Sequence, residues 1–197
     1  MRPDLHVVAG LVPAGSRVLD LGCGDGDLLD HLIHRHGCAG QGVEASPEAL
    51  HACVVRGIPV VQADIDRGLP DFEDGAFDVV VLSQTLQAVH RPVLVLREMI
   101  RVGRLGVVSF PNFGHWRIRA QLALRGRMPV SRTLPYAWYE TPNIHLCTIH
   151  DFEALLAREG LAATRRRLLD DAGGPAPPWV ARRPNLLAAG AVYLIRG

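Results

Sequence analysis

Between residues 18 and 27 the chain reads Val-Leu-Asp-Leu-Gly-Cys-Gly-Asp-Gly-Asp, setting three carboxylates (Asp20, Asp25, Asp27) among three glycines (Gly22, Gly24, Gly26). Val18, Leu19 and Leu21 read as a short buried strand, and Leu28, Leu29, Leu32 and Ile33 then recur at helical spacing. Strand, glycine turn and helix open a βαβ unit, and such units take ligands beyond the carboxyl ends of their strands. The glycines let the backbone turn sharply and let a ligand approach it without meeting a Cβ. A dinucleotide fingerprint wants its third glycine at position 27, where Asp27 stands, and no Gly-Lys-Ser/Thr of a P-loop is present. A pyrophosphate would also need positive charge or bare amides where these carboxylates crowd. Carboxylates there suit a ligand with positive charge of its own. The plain alternative is a ligand-free glycine turn between strand and helix.

S-adenosylmethionine, with its sulfonium and ammonium, fits that requirement. Glu44 ends the next short strand, Cys38–Val43, 22 residues beyond Gly22. An acid so placed in a nucleotide-binding βαβ unit accepts hydrogen bonds from ribose hydroxyls. Asp20-x-Gly22-x-Gly24-x-Gly26 resembles motif I of the class I S-adenosylmethionine-dependent methyltransferases. The resemblance implies a cofactor site built from Asp20, Gly22, Cys23, Gly24, Gly26, Glu44 and Ala45. It also implies that Asp64 pairs with the adenine amino group, that Ile65 packs on the ring, and that the run Ser83-Gln84-Thr85-Leu86 meets the methionine end, Ser83 and Gln84 above all.

The elements needed to position these residues can be read in order. Residues 4–15 form an amphipathic lead-in stopped by Pro13 and Gly15. Ser46-Pro47-Glu48 caps a helix with proline in its first turn. Ile58–Ala63 is a third strand, and Phe77–Leu82 is a continuous apolar run of the kind found at the centre of a parallel sheet. A helix over Pro92–Val102, a strand over Leu105–Phe110, a helix over Asp151–Glu159 and strands over Leu161–Leu169 and Ala188–Ile195 follow, with a proline-rich loop at Gly173–Pro184. The fold class is α/β, a Rossmann-like methyltransferase fold with helices on both faces of a seven-stranded, mostly parallel sheet. The order 3-2-1-4-5-7-6 is what the resemblance implies.

Composition bounds the answer further. At 197 residues and 48% hydrophobic content, one domain with a proper core is expected. No apolar run is long enough to span a bilayer, and Met1-Arg-Pro-Asp-Leu-His does not read as a signal peptide. Cys23, Cys38, Cys53 and Cys147 form no C-x-x-C pair and read as reduced thiols of a cytoplasmic protein. His31-x-x-His34-x-His36 lacks further ligands at convincing spacing, so a solvated helix end is expected there and no metal. Residues 1–78 hold 5 Arg against 13 acids, while residues 79–197 hold 16 Arg against 7, with no lysine anywhere. This split fits either two halves that attract each other or a basic half offered to a partner. No compact basic block alternates with aromatics, so nucleic acid is not expected.

Residues 112–149 break the βα rhythm. Arg117, Arg119, Arg125, Arg127 and Arg132 lie there beside Trp116, Tyr136, Trp138 and Tyr139, with no acid between His115 and Tyr139. Arginines with aromatics mark interfaces and substrate lids. An insertion that packs its aromatics on the sheet is the equal alternative. The runs Pro111-Asn-Phe-Gly-His-Trp-Arg-Ile-Arg, Gly126-Arg-Met-Pro-Val and Trp138-Tyr-Glu-Thr-Pro-Asn-Ile-His-Leu-Cys-Thr-Ile resemble the methionine biosynthesis protein MetW family. That resemblance covers nearly the whole chain. It implies a role in methionine synthesis as companion of a homoserine O-acyltransferase, with S-adenosylmethionine or S-adenosylhomocysteine bound; an assembly of identical chains is compatible with it.

The other expectation is a small-molecule methyltransferase whose acceptor sits under residues 112–149. Methyl transfer needs positioning and, for a hydroxyl or amine acceptor, a placed base. His90, His115, Tyr139, Glu140 and His145 are candidates, but none falls in an acceptor motif such as N-P-P-Y. No catalytic residue is assigned, and the accessory role is the expected one.

Overall fold

The computed structural model describes residues 1–197. The elements run α1 (Pro3–Ala9), β1 (Arg17–Leu21), α2 (Asp27–His36), β2 (Ala39–Glu44), α3 (Pro47–Val55), β3 (Val60–Gln62), β4 (Phe77–Ser83), α4 (Pro92–Val102) and β5 (Gly103–Pro111). Then follow α5 (Trp116–Arg125), α6 (Ile149–Glu159), β6 (Ala162–Leu169), a short α7 (Pro184–Leu187) and β7 (Gly190–Arg196). All seven strands join one sheet in the order β3-β2-β1-β4-β5-β7-β6. β1 to β5 are mutually parallel, and β7 runs antiparallel between β5 and β6.

The central strands are apolar on both faces because helices cover both. Val18, Val79, Val81, Val107 and Val192 face one core with Leu28, Leu29 and Leu32 of α2 and Val8 of α1. Their neighbours Leu19, Leu21, Val80, Leu82 and Tyr193 face the other core, with Leu96 and Met99 of α4 and Phe152 of α6. Alternation of side chains along a strand divides the residues this way. β6 lies at the sheet edge, where exposed Arg165, Arg166 and Arg167 discourage pairing with another strand.

Local chemistry sets the helix starts. The Ser46 hydroxyl accepts the Ala49 N–H at α3, and Thr148 and Asp151 form a reciprocal capping box at α6. The helix α5 lies inside the segment that breaks the βα rhythm. The ends of that segment are pinched together by buried Asn112, whose Oδ1 accepts the N–H groups of Gly114 (2.9 Å) and Ile149 (3.3 Å). Its Nδ2 donates to the carbonyls of Asn185 and Ala188, so one side chain ties the segment to the start of β7. No helix is long and apolar enough to cross a membrane.

Candidate functional site

The parallel strands all end at one edge of the sheet, and the glycine turn lies there between β1 and α2. Gly22, Gly24 and Gly26 all have positive φ (71°, 57° and 81°), a conformation open to glycine and strained for other residues. Gly24 and Gly26 serve different ends. A Cβ on Gly24 would meet nothing within 4 Å, whereas one on Gly26 would lie 3.1 Å from the Cys53 Sγ and 3.2 Å from Ile58. The first leaves space for a ligand at the backbone. The second lets α2 begin tightly against α3.

A cavity of about 470 Å³ opens at the turn, lined by Asp20, Gly22, Cys23, Gly24, Ser83, Gln84 and Thr85, with Arg2 and Leu5 of the N-terminal segment. Asp20 is only 3% exposed, and its Oδ1 is buried without a hydrogen-bond partner. Burial and then the nearby negative Glu44 push its carboxyl up to about 7, with Arg2 opposing weakly. A buried acid without a partner beside a cavity is the group that a bound cation would satisfy. Asp25 and Asp27 play a smaller part than their charges suggest, because Arg56 reaches them at 3.6 and 2.9 Å. The attraction for a positive ligand therefore rests on Asp20.

Glu44 stands beside the cavity and holds the turn. Its Oε2 accepts the Gly24 N–H at 2.9 Å, and its Oε1 accepts those of Ala45 (2.8 Å) and Ser46 (2.9 Å). Asp64 and Ile65 lie just beyond β3, where Asp64 caps a short 3-10 turn over Ile65–Arg67, and both are outside the cavity lining. The Asp64 carboxylate accepts the Asp66 N–H at 3.0 Å, and Ile65 packs partly against the core. Of the residues expected around a cofactor, Asp20, Gly22, Cys23, Gly24, Ser83 and Gln84 are thus brought together. Gly26, Glu44 and Ala45 adjoin them. Thr85, expected with Ser83 and Gln84, lines the cavity too, whereas Arg2 and Leu5 have no signal in the sequence, since nothing in an N-terminal lead-in shows that it covers this turn.

Gln84 is the one residue other than glycine with positive φ, 55°. Its N–H is held by the Ser109 carbonyl (3.0 Å) and hydroxyl (3.1 Å), so the neighbouring strand imposes the conformation. Gln84 also lines a second cavity of about 490 Å³ that takes in Pro111 and Gly190 at the paired ends of β5 and β7. Its carbonyl accepts the Gln87 Nε2–H at 2.8 Å, and the Gln87 carbonyl accepts the N–H groups of Ile144 and His145. A short relay of hydrogen bonds thus joins the cavity edge to the returning leg of residues 112–149.

The candidate bases are dispersed. His90 bonds to Asp66 (3.2 Å), Tyr139 and Glu140 are exposed, and His115 is buried with its imidazole pKa lowered by that burial. None of them, nor His145, lines either cavity. His31 sits between His36 (5.2 Å) and His6 (5.5 Å), ring to ring, and no cluster of three or more His, Cys, Asp or Glu groups could hold a metal. The Cys23 and Cys53 sulfurs lie 3.9 Å apart beneath the turn, a proximity that their sequence spacing does not reveal. Burial pushes both thiols up, which disfavours the nucleophilic thiolate.

The sheet order, the helices on both faces and the glycine turn with its acid at the end of β2 define a class I S-adenosylmethionine-dependent methyltransferase fold. A methyltransferase of that fold from Mesorhizobium loti superposes with a TM-score of 0.70 at 21% identity, covering 98% of this chain and 96% of that one. Within that class the family is specific: the model of the methionine biosynthesis protein MetW family matches residues 2–195, and the chain belongs to that family. The bifunctional methionine biosynthesis protein MetXA/MetW of Rhodopirellula baltica is 42% identical over 164 residues, which is 79% of this chain and 26% of that protein. A ubiquinone biosynthesis O-methyltransferase of Xanthomonas oryzae pv. oryzae is 29% identical over 137 residues, 66% of this chain and 56% of its own. The chain thus spans about a quarter and about half of these two relatives.

Proposed function

We propose that the protein binds S-adenosylmethionine or S-adenosylhomocysteine at the glycine turn and acts in methionine biosynthesis as the companion and activator of a homoserine O-acyltransferase. The observation that carries the companion role is the Rhodopirellula relative, whose name joins MetXA to MetW on one chain. Exposed Trp138, Tyr139, Leu124 and Met128 in residues 112–149 supply the kind of surface a protein partner would cover. In this reading the 112–149 segment is the docking element, and the relay from Ile144 and His145 through Gln87 to Gln84 links it to the cofactor.

The cofactor reading is supported by the buried, unpartnered Asp20 and the open space at Gly24. Asp20 answers the positive charge of the ligand, while Gly22, Cys23 and Gly24 admit its middle and Gly26 and Ala45 shape the turn. Glu44 keeps acceptor capacity on Oε2 for the ribose hydroxyls, since a carboxylate has about four acceptor sites and three serve backbone N–H groups. Asp64 and Ile65 hold adenine, and Ser83 and Gln84 the methionine end. The bound cofactor would supply an activated methyl group.

The second reading, methyl transfer to a small acceptor, is favoured by the second cavity that meets the first at Gln84. Two measurements on the purified chain decide: calorimetric titration with S-adenosylhomocysteine, and acyltransferase activity with and without the chain. Binding together with stimulated acyl transfer supports the companion role. Binding without stimulation, with methyl transfer to a metabolite extract, supports the second reading.

A further inference from the structure

The second cavity carries both signs of charge. Arg2 and Arg132 line it, and so do Asp4, Asp170 and Asp171. Arg132 makes no ion pair, and Arg2 meets only Asp4, at 3.6 Å. The acids are partly engaged: Asp171 pairs with Arg117 at 2.8 Å, and the Asp170 Oδ1 accepts the N–H groups of Ala172 and Gly174. Gln87, 6% exposed, also lines the cavity. Its Nε2 is satisfied by the Gln84 carbonyl, but its Oε1 has no partner. Native structures seldom leave a buried amide acceptor unmet, so a donor is expected to arrive there. The positive φ of Gln84, at the boundary of the two cavities, is a second mark of a site, because imposed backbone strain collects where ligands are held.

We infer that this cavity binds a small α-amino acid as its zwitterion, with the carboxylate on the free Arg132 guanidinium and the ammonium donating to the Gln87 amide oxygen. The free Arg132 guanidinium asks for an anionic group and the unmet Gln87 oxygen for a donor, and an amino-acid zwitterion supplies both. The volume of about 490 Å³ holds such a molecule with a polar side chain and bridging waters. The inference rests on the proposed function only in assigning the neighbouring cavity to the cofactor. That cofactor itself ends in an α-amino acid, so the test has to separate the two cavities.

L-Serine, L-homoserine and L-glutamine are titrated into the full chain saturated with S-adenosylhomocysteine, with binding read by ligand-observed NMR. Ethanolamine and glycolate, which lack one of the two charges, serve as controls. The expected result is that at least one amino acid binds, that the controls bind at least tenfold more weakly, and that Arg132→Gln and Gln87→Met each weaken the amino acid at least fivefold. Arg132→Gln is an exposed change, so it keeps the fold and should leave S-adenosylhomocysteine affinity within twofold. Absence of amino-acid binding, competition with S-adenosylhomocysteine, or wild-type affinity in Arg132→Gln overturns the inference. Should the chain not retain S-adenosylhomocysteine, the cofactor reading falls by itself. The titration of the free chain and its Arg132→Gln variant then decides the inference, loss of affinity supporting it and retention overturning it.

Discussion

The Glu44 carboxylate at the end of β2 accepts the Gly24 N–H at 2.9 Å, so the second strand clasps the turn that ends the first. Proximity to a ribose alone would make Glu44 dispensable to the fold. Its contacts to Gly24, Ala45 and Ser46 make it structural as well.

Glu44→Ala should therefore cost both binding and stability. A charge-assisted hydrogen bond contributes on the order of 1.5–3 kcal/mol, so S-adenosylhomocysteine affinity should fall at least tenfold. These N–H groups are partly open to water, which limits the stability loss to on the order of 1–2 kcal/mol, a drop of several degrees in Tm. Glu44→Gln keeps one acceptor oxygen but turns an NH2 donor toward the N–H groups that the other oxygen served, so it should recover only part of the Tm and not the affinity. Calorimetry showing equal affinity in Glu44→Ala would remove the ribose assignment.

Substitutions at two neighbouring glycines should part company. Gly24→Ala places its methyl in open space and meets only the strain of φ 57°, so the variant should fold with Tm lowered by a few degrees and lose cofactor binding. Gly26→Ala drives a methyl toward Cys53 and Ile58 and should lose more stability. Thermal melts and calorimetry on both variants check the order. A Gly24→Ala protein that binds as wild type makes the turn purely structural.

Much of this was legible in the sequence, for identifiable reasons. Pro92–Val102 begins at a helix-starting proline and keeps a strong apolar stripe, and its limits agree with the observed α4. Strands shifted by a residue or two: β3 shrinks from the expected Ile58–Ala63 to Val60–Gln62, the three residues that pair in register with β2, while Pro59 and Ala63 each add one flanking backbone hydrogen bond. The helix α5 has no clear mark in the sequence, since its arginines and scattered apolar residues give little amphipathic signal. At the site, Asp20 and the glycines follow from local spacing. The Arg56 pairs that occupy Asp25 and Asp27, the Cys23–Cys53 contact and Arg2 over the turn depend on tertiary packing and have no local signal.

The buried Asp20 predicts a pH dependence of opposite sign for stability and for binding. An unfolded chain releases this proton near pH 3.9, while the folded, ligand-free protein keeps it until about pH 7. Between those values the unfolded state binds fewer protons, so the contribution of Asp20 to stability falls as pH rises and levels off above about 7. A cationic ligand prefers the carboxylate, so affinity should rise from pH 5.5 toward 7.5, by up to about tenfold per unit on the acid side. Asp20→Asn should flatten that profile, weaken binding and raise the Tm of the free protein at pH 8. A flat binding profile in the wild type counts against Asp20 as the cation's partner.

The exposed face of residues 112–149 gives the last prediction. Trp138 is 71% exposed and rests edge-on against Tyr139 at 5.7 Å, and Leu124 is 85% exposed on α5. Neither supports the core, so Trp138→Ala and Leu124→Ser should leave the Tm nearly unchanged. If this face docks the acyltransferase, energy concentrates in aromatic and arginine anchors, and Trp138→Ala should weaken the complex at least tenfold. Arg117 is a poorer probe, because it already pairs with Asp171 at 2.8 Å and lies 5.4 Å over Trp116, so its loss disturbs the chain itself. Arg125 and Arg127 make no ion pair and are the better charges to neutralise. Their loss should slow association at low salt, an effect screened over about 8 Å at physiological ionic strength. A substrate lid gives the reverse pattern, namely an intact complex with impaired turnover of a small acceptor. Co-purification and titration of both apolar variants, alongside S-adenosylhomocysteine affinity, separate the outcomes. Normal association and full acyltransferase activation in Trp138→Ala and Leu124→Ser alike would place the contact surface elsewhere.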